Sequence, residues 1–198
     1  MERYSEKQMH IINVSIDLIA EKSIQDMTLK NLAQKLGVTE GAIYRHFPSK
    51  TDILLGILRI FQAKAQFCMD QACSSELPAV ARIEALFCNN FRYFTEYPSV
   101  TAVIFSESIF QNDSVLAQEV HKLVMLHEKA LTCAVQRGQS SGEMCTHIPE
   151  KELVRIIIGS MRFIVTKWRL SNYSFSLLEE GLFMLDCLKK LIRPLKNY

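Results

Sequence analysis

Groups that can contact phosphate are concentrated in one short segment of this chain, from Thr28 to Lys50. The segment contains two threonine hydroxyls, the phenol of Tyr44, one guanidinium and three ammonium groups. Hydroxyl and cationic side chains supply most of the contacts to phosphate oxygens in protein–DNA complexes. Four cations stand against one carboxylate, Glu40, so the local net charge is +3, although the whole 198-residue chain carries only +2. The segment therefore has the chemistry of a nucleic-acid contact.

The spacing of apolar and capping residues predicts two short helices joined by a turn. The hydroxyl of Thr28 can accept a hydrogen bond from an amide of the first turn, and Thr39 can cap the second helix in the same way. Gly37 favours the left-handed backbone that ends a helix. The first helix would bury four apolar residues on one face: Leu29, Leu32, Ala33 and Leu36. Three more residues would be the buried contacts of the second helix: Val38, Ile43 and Phe47.

Small residues at the start of the second helix would let its backbone approach the base edges of DNA. Gly41 and Ala42 lie there, and a methyl group can contact a thymine methyl. Glu40 either accepts a hydrogen bond from a cytosine amine or stays in solvent, because phosphates repel it. Ser49 can cap a third helix, whose first turn would hold a phosphate through its amides and through Lys50.

Residues Ile12 to Leu54 resemble the DNA-binding domain of the TetR family of bacterial one-component regulators. The resemblance is carried by an amphipathic first helix, the Leu36-Gly37-Val38-Thr39 turn and the Tyr44-Arg45-His46-Phe47 string. Ser23 departs from it, since the family usually ends its first helix with glycine. The resemblance implies phosphate or sugar contacts by Thr28, Thr39, Tyr44, His46 and Lys50. The resemblance also implies that the residues nearest the bases are Glu40, Gly41, Ala42 and Arg45.

The rest of the chain predicts an all-α fold. It has only 7 glycines and 5 prolines and is 48% hydrophobic, so few residues interrupt helices. We expect an N-terminal three-helix helix-turn-helix DNA-binding domain over residues 1–50. A C-terminal helical effector-binding and dimerisation domain would follow over residues 51–198. Its helices would span about 49–73, 78–97, 100–110, 114–138, 150–171 and 175–195. This helix order also resembles the family's ligand-binding and dimerisation domain.

Aromatic and soft side chains in the C-terminal domain are candidates for ligand binding: Phe61, Phe87, Phe91, Phe105, Met125 and Trp168. Ordinary core packing is the alternative for each of them. Charged residues that we expect at the edges of apolar faces, such as Arg82 and Glu107, are few. The family resemblance implies that a small molecule binds there, and the scarcity of charges favours a largely apolar effector. Trp168 and the Gly142-Glu143 loop look similar to those of TetR-type regulators of fatty-acid metabolism, so an acyl or lipid-like effector is favoured.

The last two predicted helices carry apolar residues on more than one face, which one protomer's core cannot easily cover. We therefore expect a homodimer in which two helices from each subunit form a four-helix interface. The predicted interface residues are Ile157, Met161, Ile164, Leu178, Leu182 and Leu185. The alternative is that these apolar faces are all covered within the core of a monomer. A two-fold dimer would present two recognition helices to a palindromic site.

Several classes of function are disfavoured by what the sequence lacks. The first ten residues are polar and charged rather than a signal sequence, and no run of about 18 apolar residues occurs, so we expect a cytoplasmic protein without a membrane partner. Six cysteines lack a CxxC pair and are expected to be unpaired, mostly buried thiols: Cys68, Cys73, Cys88, Cys133, Cys145 and Cys187. Cys145 and His147 could supply two metal ligands, but no third accompanies them, and we expect no metal or cofactor. Because no nucleophile and base are paired, we do not expect an enzyme.

These observations favour a DNA-binding transcriptional regulator, acting as a repressor that an effector releases from a palindromic operator. The alternative is an architectural, nucleoid-associated DNA-binding dimer that acts through a protein partner. This alternative hypothesis rests on a resemblance to the nucleoid-occlusion branch of the same family. It would require many dispersed DNA sites and no small ligand.

Overall fold

The computed structural model describes residues 4–74, 76–105 and 113–194. Within those ranges all regular secondary structure is α-helical, which confirms the predicted fold class. The helices are α1 (Glu6–Glu21), α2 (Leu29–Leu36), α3 (Glu40–Tyr44), α4 (Lys50–Ser74), α5 (Ala79–Glu96), α6 (Pro98–Ile104), α7 (Ser114–Ser140), α8 (Glu150–Leu170) and α9 (Leu177–Leu191). None of these helices is long and apolar enough to cross a membrane.

Side-chain caps explain where several helices begin. Ser5 and Gln8 form a reciprocal capping box at the start of α1, and the hydroxyl of Ser176 accepts from the backbone N–H of Glu179 at the start of α9. Pro98 directly follows the helix predicted over 78–97 and opens α6, because proline lacks only an N–H that the first turn does not use. The end of the helix predicted to reach Phe110, including Glu107, lies outside the described residues.

The described residues divide into two compact units. The first comprises residues 4–64, 97–105 and 113–123, and the second comprises 65–74, 76–96 and 124–194. The first unit has one hydrophobic core that joins the helix-turn-helix to α4, α6 and the start of α7. Its buried members include Ile12, Leu32, Ile43, Ile53, Ile57, Val103 and Leu116. The compact unit around the helix-turn-helix therefore extends past residue 50, while the functional division at residue 50 remains a prediction.

The core of the second unit is built on aromatic residues of α5. The rings of Phe87 and Phe91 meet edge to face with centroids 5.6 Å apart, and both side chains are buried. Gly181 of α9 allows this helix to approach α5, since a Cβ atom there would lie 2.3 Å from Cε2 of Phe91. Near the C-terminal end of α8, the indole Nε1 of Trp168 donates to the backbone carbonyl of Phe175 at 3.0 Å. Close helix packing therefore fixes which faces of α8 and α9 turn inward.

Candidate nucleic-acid interface

The turn between α2 and α3 is held by its backbone and its caps. The Oγ1 of Thr28 accepts from the backbone N–H of Asn31 at 3.1 Å, and the Oγ1 of Thr39 accepts from that of Ala42 at 3.3 Å. Gly37 ends α2 with a φ of 68°, in the left-handed region that favours glycine. The N–H of Val38 then donates to the carbonyl of Ala33 at 3.0 Å. The predicted helix-turn-helix is thus present, with both predicted caps.

One predicted core residue of this segment lies at the surface. Ile43 and Phe47 are buried as expected, but 45% of Val38 is exposed. Val38 follows the left-handed residue within the turn itself, so it does not share the helix face that carries Ile43. Its expected burial was wrong because the turn is closed by backbone hydrogen bonds and does not need this side chain.

The candidate DNA-contact residues differ in how far they reach into solvent. Those that are exposed are Thr28, Thr39, Glu40, Gly41, Tyr44 and Arg45, whereas Ala42, His46 and Lys50 are half-buried. A Cβ atom on Gly41 would have only the Oγ1 of Thr39 within 4 Å, at 3.9 Å. The start of α3 is therefore open to an approaching base edge. The roles of the individual residues toward phosphates or bases remain predictions.

Residues before and within the first turn of α1 also position the residues that follow α3. The Nε2 of Gln8 donates to the backbone carbonyl of His46 at 3.3 Å, and the ring of Tyr4 lies 6.3 Å from that of Phe47. The same Gln8 caps α1, so one side chain fixes the start of α1 and the residues after α3. The sequence analysis did not single out Gln8. The sequence shows only the Ser5 and Gln8 capping pattern, which predicts the start of α1 and not the contact with His46.

The predicted phosphate ligand Lys50 has a partner within its own unit. Its Nζ donates to the backbone carbonyl of Ile24 at 3.0 Å. Burial lowers the pKa of the Lys50 ammonium, and the nearby carboxylate of Asp26 partly offsets that effect. An ammonium has three donors, so a phosphate contact can be added to this bond. Lys50 therefore also fastens α4 to the connection between α1 and α2.

The positive charge of the interface is smaller than the segment alone suggests. Lys35 forms an ion pair with Glu21 of α1, with Nζ and Oε1 2.6 Å apart. Glu21 lies outside the segment whose net charge was +3, and it offsets one of the four cations. Lys30 and Arg45 are exposed. We accordingly expect only a few phosphates to be neutralised by each subunit.

The six candidate ligand residues lie in both units. Phe61 and Phe105 belong to the first unit, and the second unit contains Phe87, Phe91, Met125 and Trp168. Among the latter, 41% of Met125 is exposed, whereas the three aromatic side chains are buried in the core. A ligand pocket lined by these residues stays a prediction. Arg82 was expected at the edge of an apolar face, but it is only 2% exposed, and its Nε donates to the backbone carbonyl of Leu77 at 2.8 Å.

Three of the six predicted dimer residues are buried in the core of their own subunit. Ile157, Ile164 and Leu185 are buried, and Met161, Leu178 and Leu182 are half-buried. The reason is visible at α5, where Asn90 Nδ2 contacts the sulfur of Met161 at 3.7 Å and Phe91 packs on Gly181. The apolar residues that α8 and α9 leave exposed are Ile156, Phe163, Leu170, Phe183 and Leu191. We call the set Ile156, Phe163, Phe183 and Leu191 the exposed apolar face.

The thiols and the candidate metal ligands form no metal cluster within the described residues. Of the four cysteines whose side chains are described, only Cys145 is buried, and Cys187 is exposed. The expectation that most thiols are buried is therefore wrong for these four, and the side chains of Cys68 and Cys73 lie outside the described residues. Burial and the neighbouring Glu84 raise the pKa of the Cys88 thiol, which disfavours its reactive thiolate.

Comparison with known proteins finds a family model that matches the N-terminal segment. Residues 11–57 match the family model described as bacterial regulatory proteins, tetR family. The chain is 22% identical over 179 residues to the fatty acid metabolism regulator protein of Bacillus subtilis, covering 89% of this chain and 91% of that protein. It is 26% identical over 118 residues to the nucleoid occlusion factor SlmA of Actinobacillus pleuropneumoniae. This second match covers 59% of this chain and only 58% of that protein's length.

A solved structure shares the fold over almost the whole chain. The transcriptional regulator FadR from Bacillus subtilis, crystallised in complex with stearoyl-CoA, aligns with a TM-score of 0.80 and 20% sequence identity. The alignment covers 93% of this chain and 99% of that one. At this level of identity the likeness shows the fold alone.

Proposed function

We propose that this chain, whose residues 11–57 match the model of the tetR family of bacterial regulatory proteins, regulates transcription by binding DNA as a homodimer. The observation that carries the proposal is the capped α2–Gly37–α3 turn, with Gly41 open to an approaching base edge. In the proposed complex, α3 enters the major groove. The exposed hydroxyls of Thr39 and Tyr44 contact phosphates beside it.

The sequence preference of the regulator would arise from a few positions at the start of α3. Gly41 and Ala42 bring the backbone close to the bases, and Glu40 and Arg45 are the longer side chains next to them. Contacts by Thr28, Tyr44 and Lys50 would go to the phosphate backbone and would be the same for every DNA sequence. This division of roles is testable by comparing substitutions of the two kinds.

A second copy of the chain is the proposed partner of the exposed apolar face. Phe163 is 69% exposed and Phe183 is 72% exposed, which is costly for aromatic rings in water. Gly159 lies between Ile156 and Phe163 on α8, and a Cβ atom there would meet nothing within 4 Å. A glycine inside an exposed helix costs about 1 kcal/mol relative to alanine. Close approach of a partner helix would account for it.

The exposed charges of α8 and α9 are of both signs. They include Glu152, Arg155 and Lys167 on α8, and Glu179, Asp186 and Lys190 on α9. Arg155 pairs with Glu152, and Asp186 pairs with Lys189, within the subunit. The proposed two-fold association therefore rests on the exposed apolar face and on Gly159 rather than on charge. Two α3 helices would then read a palindromic operator.

The effector of the proposed regulator is a small, largely apolar molecule, and an acyl thioester is the favoured class. The similar regulator from Bacillus subtilis has stearoyl-CoA bound in its crystal structure, and this supports the choice. Binding to the domain over residues 51–198 would favour a conformation with lower affinity for DNA, so the effector would release a repressor. A preference of about 2 to 3 kcal/mol would weaken DNA binding roughly 30- to 150-fold.

The alternative function is an architectural DNA-binding dimer with a protein partner, and the match to the nucleoid occlusion factor favours it. Sequencing of sheared DNA from the source organism after capture by the purified protein separates the two functions. A ligand-released regulator should retain a few palindromic sites near promoters. Retention of many dispersed sites would instead support the architectural function.

Native mass spectrometry of the purified protein tests the effector proposal. A dimer that releases an acyl or lipid-like mass on denaturation would support it, and stearoyl-CoA could then be titrated against DNA binding. An empty dimer whose DNA affinity does not respond to stearoyl-CoA would contradict an acyl thioester as the effector. A monomer would contradict the palindrome argument.

A further inference from the structure

The first turn of α4 is hydrogen-bonded to the start of α7. The hydroxyl of Thr51 donates to Oδ2 of Asp113, with the two oxygens 2.7 Å apart. The other carboxylate oxygen of Asp113 accepts from the backbone N–H groups of Val115 at 3.0 Å and Leu116 at 3.2 Å. Asp113 therefore caps α7 with one oxygen and holds α4 with the other.

Neighbouring residues of the same turn fix α4 to the rest of the first unit. Lys50 donates to the carbonyl of Ile24 in the α1–α2 connection, and Ser49 accepts from the backbone N–H of Asp52 at 3.2 Å. Leu116, in the first turn of α7, is buried in the same core as residues of α1 and α4. One short turn thus joins the connection that precedes α2 to the N-terminus of α7.

We propose that Thr51 and Asp113 are positioning residues for DNA binding. Neither residue belongs to the predicted DNA contacts. Their hydrogen bond instead sets where the first turn of α4, and with it Lys50 and the α1–α2 connection, lies relative to α7. This inference rests on the proposed DNA binding. It adds two residues that position the DNA-contacting residues without contacting DNA themselves.

The variant Thr51→Val tests the link because valine keeps the size of threonine and removes the donor. Thr51→Ser restores the hydroxyl. Thr95→Val is a matched control, since the Thr95 hydroxyl donates only within its own helix, to the carbonyl of Phe91 at 2.8 Å. Asp113→Asn is a second variant, because asparagine still caps a helix but lacks the charged acceptor.

DNA affinity is measured by fluorescence anisotropy with a 40-base-pair duplex of mixed sequence at several salt concentrations. Thr51→Val and Asp113→Asn should weaken binding about three- to tenfold, as expected for the net contribution of one typical intramolecular hydrogen bond. The salt dependence should not change, because no phosphate contact is lost. Thr51→Ser and Thr95→Val should bind like the unchanged protein.

Hydrogen exchange followed by mass spectrometry is a second measurement on the same samples, of amide exchange rates. DNA should slow exchange at residues 113–120 in the unchanged protein, and this protection should be lost in Thr51→Val while residues 39–46 stay protected. Unchanged affinity and unchanged protection in Thr51→Val would overturn the inference alone, as would a smaller salt slope. An unchanged protein that fails to bind the duplex even at the lowest salt concentration, where sequence-independent phosphate contacts suffice, would overturn both the inference and the proposed function.

Discussion

The ammonium of Lys50 and the backbone carbonyl of Ile24 form a hydrogen bond of 3.0 Å across 26 positions of the sequence. It fastens the first turn of α4 to the connection between α1 and α2. The bond uses one of three donors of an ammonium group. Lys50 can therefore stabilise the helix-turn-helix and contact a phosphate at the same time.

Replacing Lys50 with methionine should lower both the melting temperature and the DNA affinity. If one phosphate contact per subunit is lost, the slope of log affinity against log salt should become less steep by about 2 for a dimer. Lys122→Met is the control, since Lys122 is an exposed lysine of α7 paired only locally with Glu119. An unchanged salt slope in Lys50→Met would show that Lys50 acts through Ile24 alone.

Two substitutions in α3 should separate phosphate contacts from base contacts. Tyr44→Ala should weaken binding to all duplexes about equally, because the lost hydroxyl is assigned to phosphate. Ala42→Leu should change which duplex is preferred, because a larger side chain would meet the base edges. Competition between duplexes of different sequence measures both effects. The assignment is wrong if both variants lose affinity equally for every duplex.

The exposed apolar face should control association of the subunits. Phe183→Glu should shift the protein from dimer to monomer in sedimentation velocity, since a carboxylate would be buried without a partner. Phe67→Glu provides the comparison, because Phe67 is exposed elsewhere, on α4. A Phe183→Glu protein that remains fully dimeric at micromolar concentration would place the interface on another surface.

The contact between Gly181 and Phe91 predicts a stability difference between two glycines. Gly181→Ala should lower the free energy of unfolding by about 1 to 3 kcal/mol, because its methyl group would overlap the buried ring. Gly159→Ala has open space within the protomer, so it should leave the protomer as stable or more stable. Urea unfolding of both variants checks the order at a protein concentration at which the subunits are dissociated, because Gly159 also lies in the proposed dimer interface. Equal stabilities would contradict the close packing of α9 on α5.

The hydrogen bond from Thr51 lowers the pKa of the Asp113 carboxyl. A carboxyl whose folded pKa is lowered stabilises the folded state above its unfolded pKa, near 4, and loses that contribution as the pH falls through the folded value. NMR titration should find a higher pKa for Asp113 in Thr51→Val than in the unchanged protein. Identical titration curves would mean that the hydroxyl does not hold this carboxylate in solution.

The helix-turn-helix could be predicted from the sequence because its determinants are local. Thr28, Gly37 and Thr39 each act on a backbone group within a few residues, so their types and spacing are informative on their own. Val38 was misplaced because periodicity was extended into a turn. Helical periodicity says nothing about a residue that follows a left-handed glycine.

Contacts between residues far apart in sequence could not be predicted. The hydrogen bond from Thr51 to Asp113 spans 62 positions, and no local sequence pattern predicts it. For α8 and α9, the sequence correctly indicated more than one apolar face. Which face turns inward depends on how α5 packs against Met161 and Gly181, and that packing decided that Ile157, Ile164 and Leu185 belong to the subunit core.

The most direct measurement of DNA recognition is selection of duplexes from a random-sequence library by the full-length protein, followed by sequencing. The account predicts enrichment of two inverted half-sites, because two α3 helices related by a two-fold axis read the same bases on opposite strands. Their centres should lie about one helical turn, roughly 34 to 36 Å, or a larger fixed distance apart. Enrichment of a single unrepeated motif, or of no motif at all, would contradict the proposed dimeric regulator.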